Sequence, residues 1–228
     1  MSTFINSFWK TSTPIWVAVG EGTNSIATSP DGITWTSIGT SIFSGSGGNG
    51  VAWNGSLWVA VGWGTDTIAT SPDGITWTGR GMSIISGNSY NVAWNGSLWV
   101  AVGWGTNTIA TSPDGINWTG RGMSIFSWSC WYTAWNGSFW VAVGSGTNSI
   151  ATSPDGITWT GRGMSIFSTR GYAVAWNGSL WVAGGEGTNT IAYSTDGINW
   201  TGLGTSIFSG SGNKFASKTA PNLYPPIT

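Results

Sequence analysis

The chain has 228 residues, with 37 Gly, 8 Pro, seven basic and eight acidic side chains, and a net charge of −1 without any His. This length can form one sizeable core, and a Gly and Pro content of about a fifth is below the range of low-complexity disorder. The low charge excludes a basic surface for nucleic acid. The apolar stretches are far shorter than the ~20 residues that span a bilayer, and the first ten residues lack signal-peptide features. We therefore expect a folded, soluble and unprocessed chain without membrane insertion.

Three short strings recur through the chain at intervals of 41 or 42 residues. The string SPDGITW, or a near copy, has its acidic residue at Asp31, Asp73, Asp114, Asp155 and Asp196. The string AWNGS has its indole at Trp53, Trp94, Trp135 and Trp176. The string WVAVG, or WVAGG, begins at Trp16, Trp58, Trp99, Trp140 and Trp181. A period near 41 is typical of four-stranded propeller blades or of helix-pair solenoids.

The second repeat shows which kind of unit is copied. Its segments are short, rich in Val, Ile, Thr and Trp, and separated by Gly, Asn-Gly or Pro-Asp-Gly, which is typical of strands and turns. We predict strand A at Gly50–Trp53, strand B at Leu57–Gly62, strand C at Thr67–Ser71 and strand D at Ile75–Thr78. Asn54-Gly55 favours a type I′ hairpin turn, so the strands are expected to form an antiparallel meander.

The predicted fold class is all-β, a five-bladed β-propeller of four-stranded antiparallel blades. Strand B carries apolar residues on both faces, and radially stacked blades cover both faces of such a strand. The chain is then a single propeller domain with a C-terminal tail at 218–228. The approximate units are 11–52, 53–93, 94–134, 135–175 and 176–217.

The first unit lacks a clear copy of the AWNGS string, which leaves two ways to complete its blade. Either Asn6–Trp9 is its strand A, or the C-terminal segment Gly212–Ser217 supplies it. We favour the C-terminal segment, because pairing of the chain ends removes an open sheet edge.

The SPDGITW string resembles the Asp-box, also called the BNR or sialidase-type repeat, whose usual form is Ser-x-Asp-x-Gly-x-Thr-Trp. Ser71, Asp73, Gly74, Thr76 and Trp77 match it with one residue fewer between Asp and Gly, and Asn replaces Thr in two copies. The resemblance implies a structural turn between the third and fourth strands of each blade. An Asp in such a turn accepts hydrogen bonds from backbone N–H groups.

The same family includes sialidases, which combine three ligand-binding Arg residues with a Tyr nucleophile and acidic residues. Here Arg80, Arg121 and Arg162 repeat at the exit of strand D, so we expect them at the rim. The acidic residues outside the turns are Glu21, Asp66 and Glu186. Neither a carboxylate pair nor a Ser-His or Cys-His arrangement is supported, and we expect no enzymatic activity, metal or cofactor. A single cysteine, Cys130, cannot form an internal disulfide.

The copies differ mainly in the loops between strands D and A and at one residue of the turn between strands B and C. A meander places both kinds of connection on one face. The D-to-A loops are Ser44–Gly50, Ser86–Asn91, Ser127–Thr133, Ser168–Ala173 and Ser209–Lys214, and the B-to-C residues are Glu21, Trp63, Trp104, Ser145 and Glu186. That face also collects spare aromatic residues, which suit either stacking on a ligand or capping of strand ends. The candidate ligand-binding residues are Trp63, Tyr90, Trp104, Trp128, Trp131, Tyr132, Arg170 and Tyr172.

These observations support a non-enzymatic, lectin-like module with repeated shallow sites for a neutral glycan, or for a protein partner, on the variable face. One alternative is a structural or display propeller of a surface appendage or viral particle. Another is an amplified or designed symmetric propeller without an evolved ligand. Six glycosylation sequons are present, but four coincide with the hairpin Asn-Gly and two with the Asp-box-like turns, so we interpret them as coincidental.

Overall fold

The computed structural model describes residues 16–45 and 47–217, and within these ranges the chain consists of antiparallel β-strands and connecting loops. No helix in this part of the chain is long and apolar enough to cross a membrane. The first sheet has three strands, β1 (Trp16–Val19), β2 (Ile26–Ser29) and β3 (Thr36–Gly39). Each later repeat forms a meander of four strands. We call the five successive meanders units one to five.

The four complete units have the same strand lengths to within one residue. Unit two contains β4 (Gly47–Trp53), β5 (Trp58–Trp63), β6 (Ile68–Ser71) and β7 (Thr78–Gly79). Unit three contains β8 (Ser89–Trp94), β9 (Trp99–Gly103), β10 (Ile109–Ser112) and β11 (Thr119–Gly120). Unit four contains β12 (Ser129–Trp135), β13 (Trp140–Ser145), β14 (Ile150–Ser153) and β15 (Thr160–Gly161). Unit five contains β16 (Arg170–Trp176), β17 (Trp181–Glu186), β18 (Ile191–Ser194) and β19 (Thr201–Gly202).

The predicted antiparallel pairing of strands A and B is confirmed, but the predicted type I′ turn between them is wrong. Trp53 pairs with Trp58 across β4 and β5, so the loop has four residues and not two. Asn54 Oδ1 accepts hydrogen bonds from the backbone N–H of Ser56 (2.9 Å) and of Leu57 (2.7 Å). Among the described residues only glycines have positive φ, which also excludes a type I′ turn. The Asn side chain thus stabilises a wider loop by acting as a backbone-like acceptor.

The predicted fourth strand at Ile75–Thr78 is also corrected, because β7 begins only at Thr78. The backbone N–H groups of Ile75 and Thr76 both donate to Asp73 Oδ1, at 2.8 and 2.7 Å. These donors are therefore unavailable to a neighbouring strand. The turn extends further along the chain than the alternation of apolar residues indicated.

The five Ser-x-Asp-Gly turns have the same hydrogen bonds, and these bonds shift the pKa of the aspartates. Backbone hydrogen bonds from Thr34 and Ile33 lower the pKa of Asp31 to about 2. The backbone and side-chain N–H groups of Asn117 hold the pKa of Asp114 well below its usual range. Bonds of this kind favour the charged carboxylate. The turn aspartates are therefore structural acceptors.

A glycine is required in these turns for both conformation and space. Gly115 has φ +75°, in the region that L side chains rarely adopt. A Cβ atom there would lie 2.8 Å from Leu57 of the preceding unit and 3.2 Å from the indole nitrogen of Trp99 in its own unit. The turn is thus held between two units, which links this motif to the packing between sheets.

The hydrophobic core lies between successive units, of which units four and five are joined into one eight-stranded sheet by the pairing of Ser145 with Arg170. One cluster joins Val100 and Ile109 of unit three to Phe126, Trp140 and Trp159 of unit four. Equivalent clusters join units one and two, two and three, and four and five. The first strands β4, β8, β12 and β16 contact one another in series. Both faces of the inner sheets are therefore buried, as the apolar residues on both faces of strand B predicted.

The C-terminal segment contacts unit five without forming the predicted strand. Gly212 N donates to Gly185 O at 3.0 Å, and Phe215 lines a small cavity of about 90 Å³ with Val182. Within the described residues β1 pairs only with β2. The segment instead follows β17, where Ser211 forms an isolated bridge with Glu186. The alternative strand at Asn6–Trp9 lies outside the described residues.

Candidate functional site

The variable loops of units two to five meet at one end of the sheets, and we call this surface the loop face. Gly87 N donates to Trp104 O at 3.1 Å, which joins the D-to-A loop to the B-to-C turn of unit three. In unit four Trp128 N donates to Ser145 O at 3.3 Å. The two most variable segments of the repeat are therefore hydrogen-bonded to each other.

At these paired positions, a large residue in one segment is paired with a small residue in the other. A Cβ atom added to Gly45 would lie 3.1 Å from ring atoms of Trp63, and one added to Gly87 would lie 2.6 Å from ring atoms of Trp104. In unit four the order is reversed, because Trp128 is paired with the small Ser145. Trp63 and Trp104 are thus partly covered by loop backbone, with 41% and 44% exposure, whereas Trp128 is 70% exposed.

A β-bulge in the first strand of each of units three, four and five places one aromatic residue beside the next. The register shifts between Ser89 and Asn91, Cys130 and Tyr132, and Gly171 and Ala173 leave one extra residue in each strand. The extra residues are Tyr90, Trp131 and Tyr172, which we call the aromatic row. Tyr90 and Trp131 are stacked with ring centroids 4.3 Å apart, and Trp131 and Tyr172 are tilted at 5.7 Å. Bulges re-aim side chains in this way.

The aromatic row borders a depression of about 560 Å³ on the loop face of units three to five. Its walls include the indoles of Trp104, Trp128 and Trp131 together with the Tyr90 ring and the Arg170 side chain. The remaining lining residues are Ser129, Ser145, Gly146, Met164, Ser168 and Thr169. The depression therefore combines aromatic surfaces with hydroxyl groups and one positive charge.

A charged cluster lies at the edge of the depression, where β16 pairs with β17. Arg170 Nε is 3.5 Å from Glu186 Oε2, and the Tyr172 hydroxyl donates to the same oxygen at 2.9 Å. The Arg170 guanidinium carbon lies 5.8 Å from the centroid of the Tyr172 ring. Burial, and next the hydrogen bond to Glu186, raise the pKa of Tyr172, so this phenol stays protonated and continues to donate.

The structure brings five of the eight predicted site residues to the depression: Tyr90, Trp104, Trp128, Trp131 and Arg170. Tyr172 lies directly behind them, in contact with Trp131. Trp63 lies in unit two, away from the depression, although its packing resembles that of Trp104. Tyr132 follows the bulge and is not part of the lining; burial raises its pKa.

Sequence reasoning did not predict the contact of Glu186 with Tyr172. It also did not name six of the lining residues as site residues: Ser129, Ser145, Gly146, Met164, Ser168 and Thr169. One signal was available, because Tyr90, Trp131 and Tyr172 are each 41 residues apart and occupy one position of the repeat. Their mutual contact required knowledge of the bulge. Arg80, which follows β7, donates to Thr70 Oγ1 of its own unit from Nε and Nη2 at 3.0 and 2.6 Å.

Several solved structures are similar to this chain in fold. No protein-family model matches the sequence, and no curated protein sequence matches it. A chain in the crystal structure of a nidogen/laminin complex matches 81% of this chain and 77% of its own length, with a TM-score of 0.58 and 14% identity. The WD40 β-propeller domain of Doa1 matches 82% of this chain and 65% of its own length, with a TM-score of 0.54 and 13% identity.

The GH74 enzyme of Niastella koreensis is similar over 84% of this chain, with a TM-score of 0.56 and 21% identity. This chain spans only 30% of the length of that enzyme chain. At identities of 13–21% the likeness shows the fold and no shared activity. The chain is an all-β protein with a β-propeller type of fold.

Proposed function

We propose that this chain is a five-bladed β-propeller with Asp-box-type turns that acts as a non-enzymatic binding module for a glycan. The five Ser-x-Asp-Gly turns support the blade number, because one occurs in each unit: it joins the third and fourth strands in units two to five and joins β2 to β3 in unit one. Their hydrogen-bonding pattern, in which one carboxylate oxygen accepts two successive backbone N–H groups, recurs from Asp31 to Asp196.

The observation that carries the proposal is the composition of the depression on the loop face. The exposed indole of Trp128 provides a flat apolar surface of the kind that stacks on the C–H face of a sugar ring. Ser129, Ser145, Ser168 and Thr169 also line the depression and add polar side chains to its wall. Because the lining residues differ between the units, we propose one site spanning units three to five and not repeated equivalent sites.

The environment of the carboxylates supports binding without catalysis. Asp66 Oδ1 accepts a hydrogen bond from Gly81 N at 2.6 Å, which ties it to the end of its own unit. Glu186 is paired with Arg170 and Tyr172. Glycoside hydrolysis requires two carboxylates, one on either side of the scissile bond. The proposed site does not include such a pair.

A matched pair of variants tests the proposed site. Trp63 and Trp104 have nearly equal exposure and pack on equivalent glycines, but only Trp104 lines the depression. Screening on a glycan array, followed by calorimetric titration of the strongest hit, should show that Trp104→Ala weakens binding by about 1–3 kcal/mol. Trp63→Ala should bind as the unchanged protein does, while both variants lose similar stability.

The second candidate function is a rigid structural or display platform. The near identity of the repeated strings supports it, because a spacer needs only a stable and repeated core. Under this reading Trp104 and Trp128 only cap their loops. A glycan array without any hit, together with equal effects of Trp63→Ala and Trp104→Ala on melting alone, would favour the platform over the binding module.

A further inference from the structure

Among the described residues, a charged cluster of this kind occurs in unit five, at the edge of the depression. Arg170 and Glu186 are register partners in β16 and β17. The corresponding partners are Ser129 and Ser145 in unit four, and both of these line the depression. A pair of opposite charges thus stands beside a pair of hydroxyls in the neighbouring unit. In unit two the same positions are Gly47 and Trp63, without any charge.

The cluster leaves hydrogen-bonding capacity on both charged groups. Glu186 Oε2 accepts from Tyr172 and faces Arg170 Nε, whereas among the described residues no hydrogen bond is seen to Oε1. The guanidinium has further N–H donors on its Nη atoms, and Arg170 lines the depression. Both side chains are 38% exposed, so a ligand can reach them. The hydrogen bond from the Tyr172 hydroxyl holds the Glu186 carboxylate in place.

The charges of the pair determine which ligand chemistry suits it. An acidic ligand group attracted by Arg170 would also be repelled by Glu186 a few ångströms away. Two adjacent hydroxyl groups face no such conflict, since each can donate one hydrogen bond and accept another. We propose that Arg170 and Glu186 bind two vicinal hydroxyls of a neutral sugar whose apolar face stacks on Trp128. This inference rests on the proposed function and names the ligand group that orients the glycan.

Three probes and two variants test the inference. The probes are the neutral oligosaccharide that binds best on the array, its analogue with two adjacent hydroxyls O-methylated, and its uronic acid counterpart. The variants are Arg170→Gln and Glu186→Gln, with Trp63→Ala as a matched control outside the depression and thermal melting as the check of folding.

We expect each charge variant to weaken binding of the neutral probe about tenfold or more, because a hydrogen bond to a charged group is lost. The O-methylated probe should bind the unchanged protein weakly and should lose little more in Glu186→Gln. The uronic acid should bind no tighter than the neutral probe, and raising the salt concentration should change the neutral affinity little.

Different failures separate this inference from the proposed function. If the uronic acid binds tighter and Arg170→Gln removes that preference, the ligand is acidic and the inference is overturned. If both charge variants bind like the unchanged protein while Trp104→Ala does not, the inference is overturned and the glycan site stands. If no glycan binds the unchanged protein, the proposed function fails and the inference fails with it.

Discussion

Trp128 and Trp140 belong to the same unit but differ in burial, so replacing each by Ala separates stability from binding. Trp140 is fully buried, and its truncation leaves a cavity that costs about 3–5 kcal/mol. Trp128 is 70% exposed. Roughly a third of its surface of about 250 Å² is therefore buried, which contributes at most about 2 kcal/mol at about 25 cal/mol per Å².

These energies predict that Trp140→Ala melts at a lower temperature than Trp128→Ala. For a domain of this size 1 kcal/mol changes Tm by about 2–4 °C. Trp140→Ala should then lower Tm by roughly 6–20 °C, and Trp128→Ala by no more than about 8 °C, in scans under identical conditions. In titrations with the array hit, Trp128→Ala should weaken binding by about 1–3 kcal/mol, which is roughly 5- to 150-fold in Kd.

The reasoning is refuted if Trp128→Ala melts as early as Trp140→Ala and binds the glycan with unchanged affinity. Trp128 would then cap its loop, and the exposure of its ring would have no functional meaning. A loss of binding with little loss of Tm is the result that supports stacking.

Three further predictions concern stability. Asp114→Ala should lower the free energy of unfolding by about 1–3 kcal/mol, because it removes turn hydrogen bonds. Glycan affinity should not change, since the turn lies at the end of the sheet opposite the loop face, and a parallel loss of affinity would contradict this. The turn aspartates have lowered pKa values in the folded state. The stability that they contribute is therefore present above pH ~4 and is lost as the pH falls towards about 2, the folded pKa of Asp31. A Tm that stays constant over this interval would contradict the structural role of these aspartates. Gly87→Ala should destabilise the protein by about 1–3 kcal/mol, because the new Cβ would lie 2.6 Å from the Trp104 ring. Gly210 occupies the same loop position, and an added Cβ there would have nothing within 4 Å. Gly210→Ala should therefore melt like the unchanged protein.

The repeats made the sheet class and the antiparallel meanders predictable, because short Val-, Ile- and Trp-rich segments between turn residues have few other solutions. Errors arose where side chains replace backbone partners. Asn54 and Asp73 accept backbone N–H groups and thereby widened one loop and delayed the fourth strand. Local alternation of apolar residues does not show such competition between side chains and strand pairing.

The sequence alone determined the repeat period, the strand and turn chemistry and the set of candidate residues, since these depend on local spacing. Only the tertiary structure decided which candidates meet. Tyr90, Trp131 and Tyr172 are 41 residues apart in the chain and become neighbours because bulges in adjacent first strands turn them towards one another. Trp63 and Trp104 occupy the same position of the repeat, but only Trp104 lines the depression. This difference depends on which units lie beside each residue, and the local sequence does not contain that information.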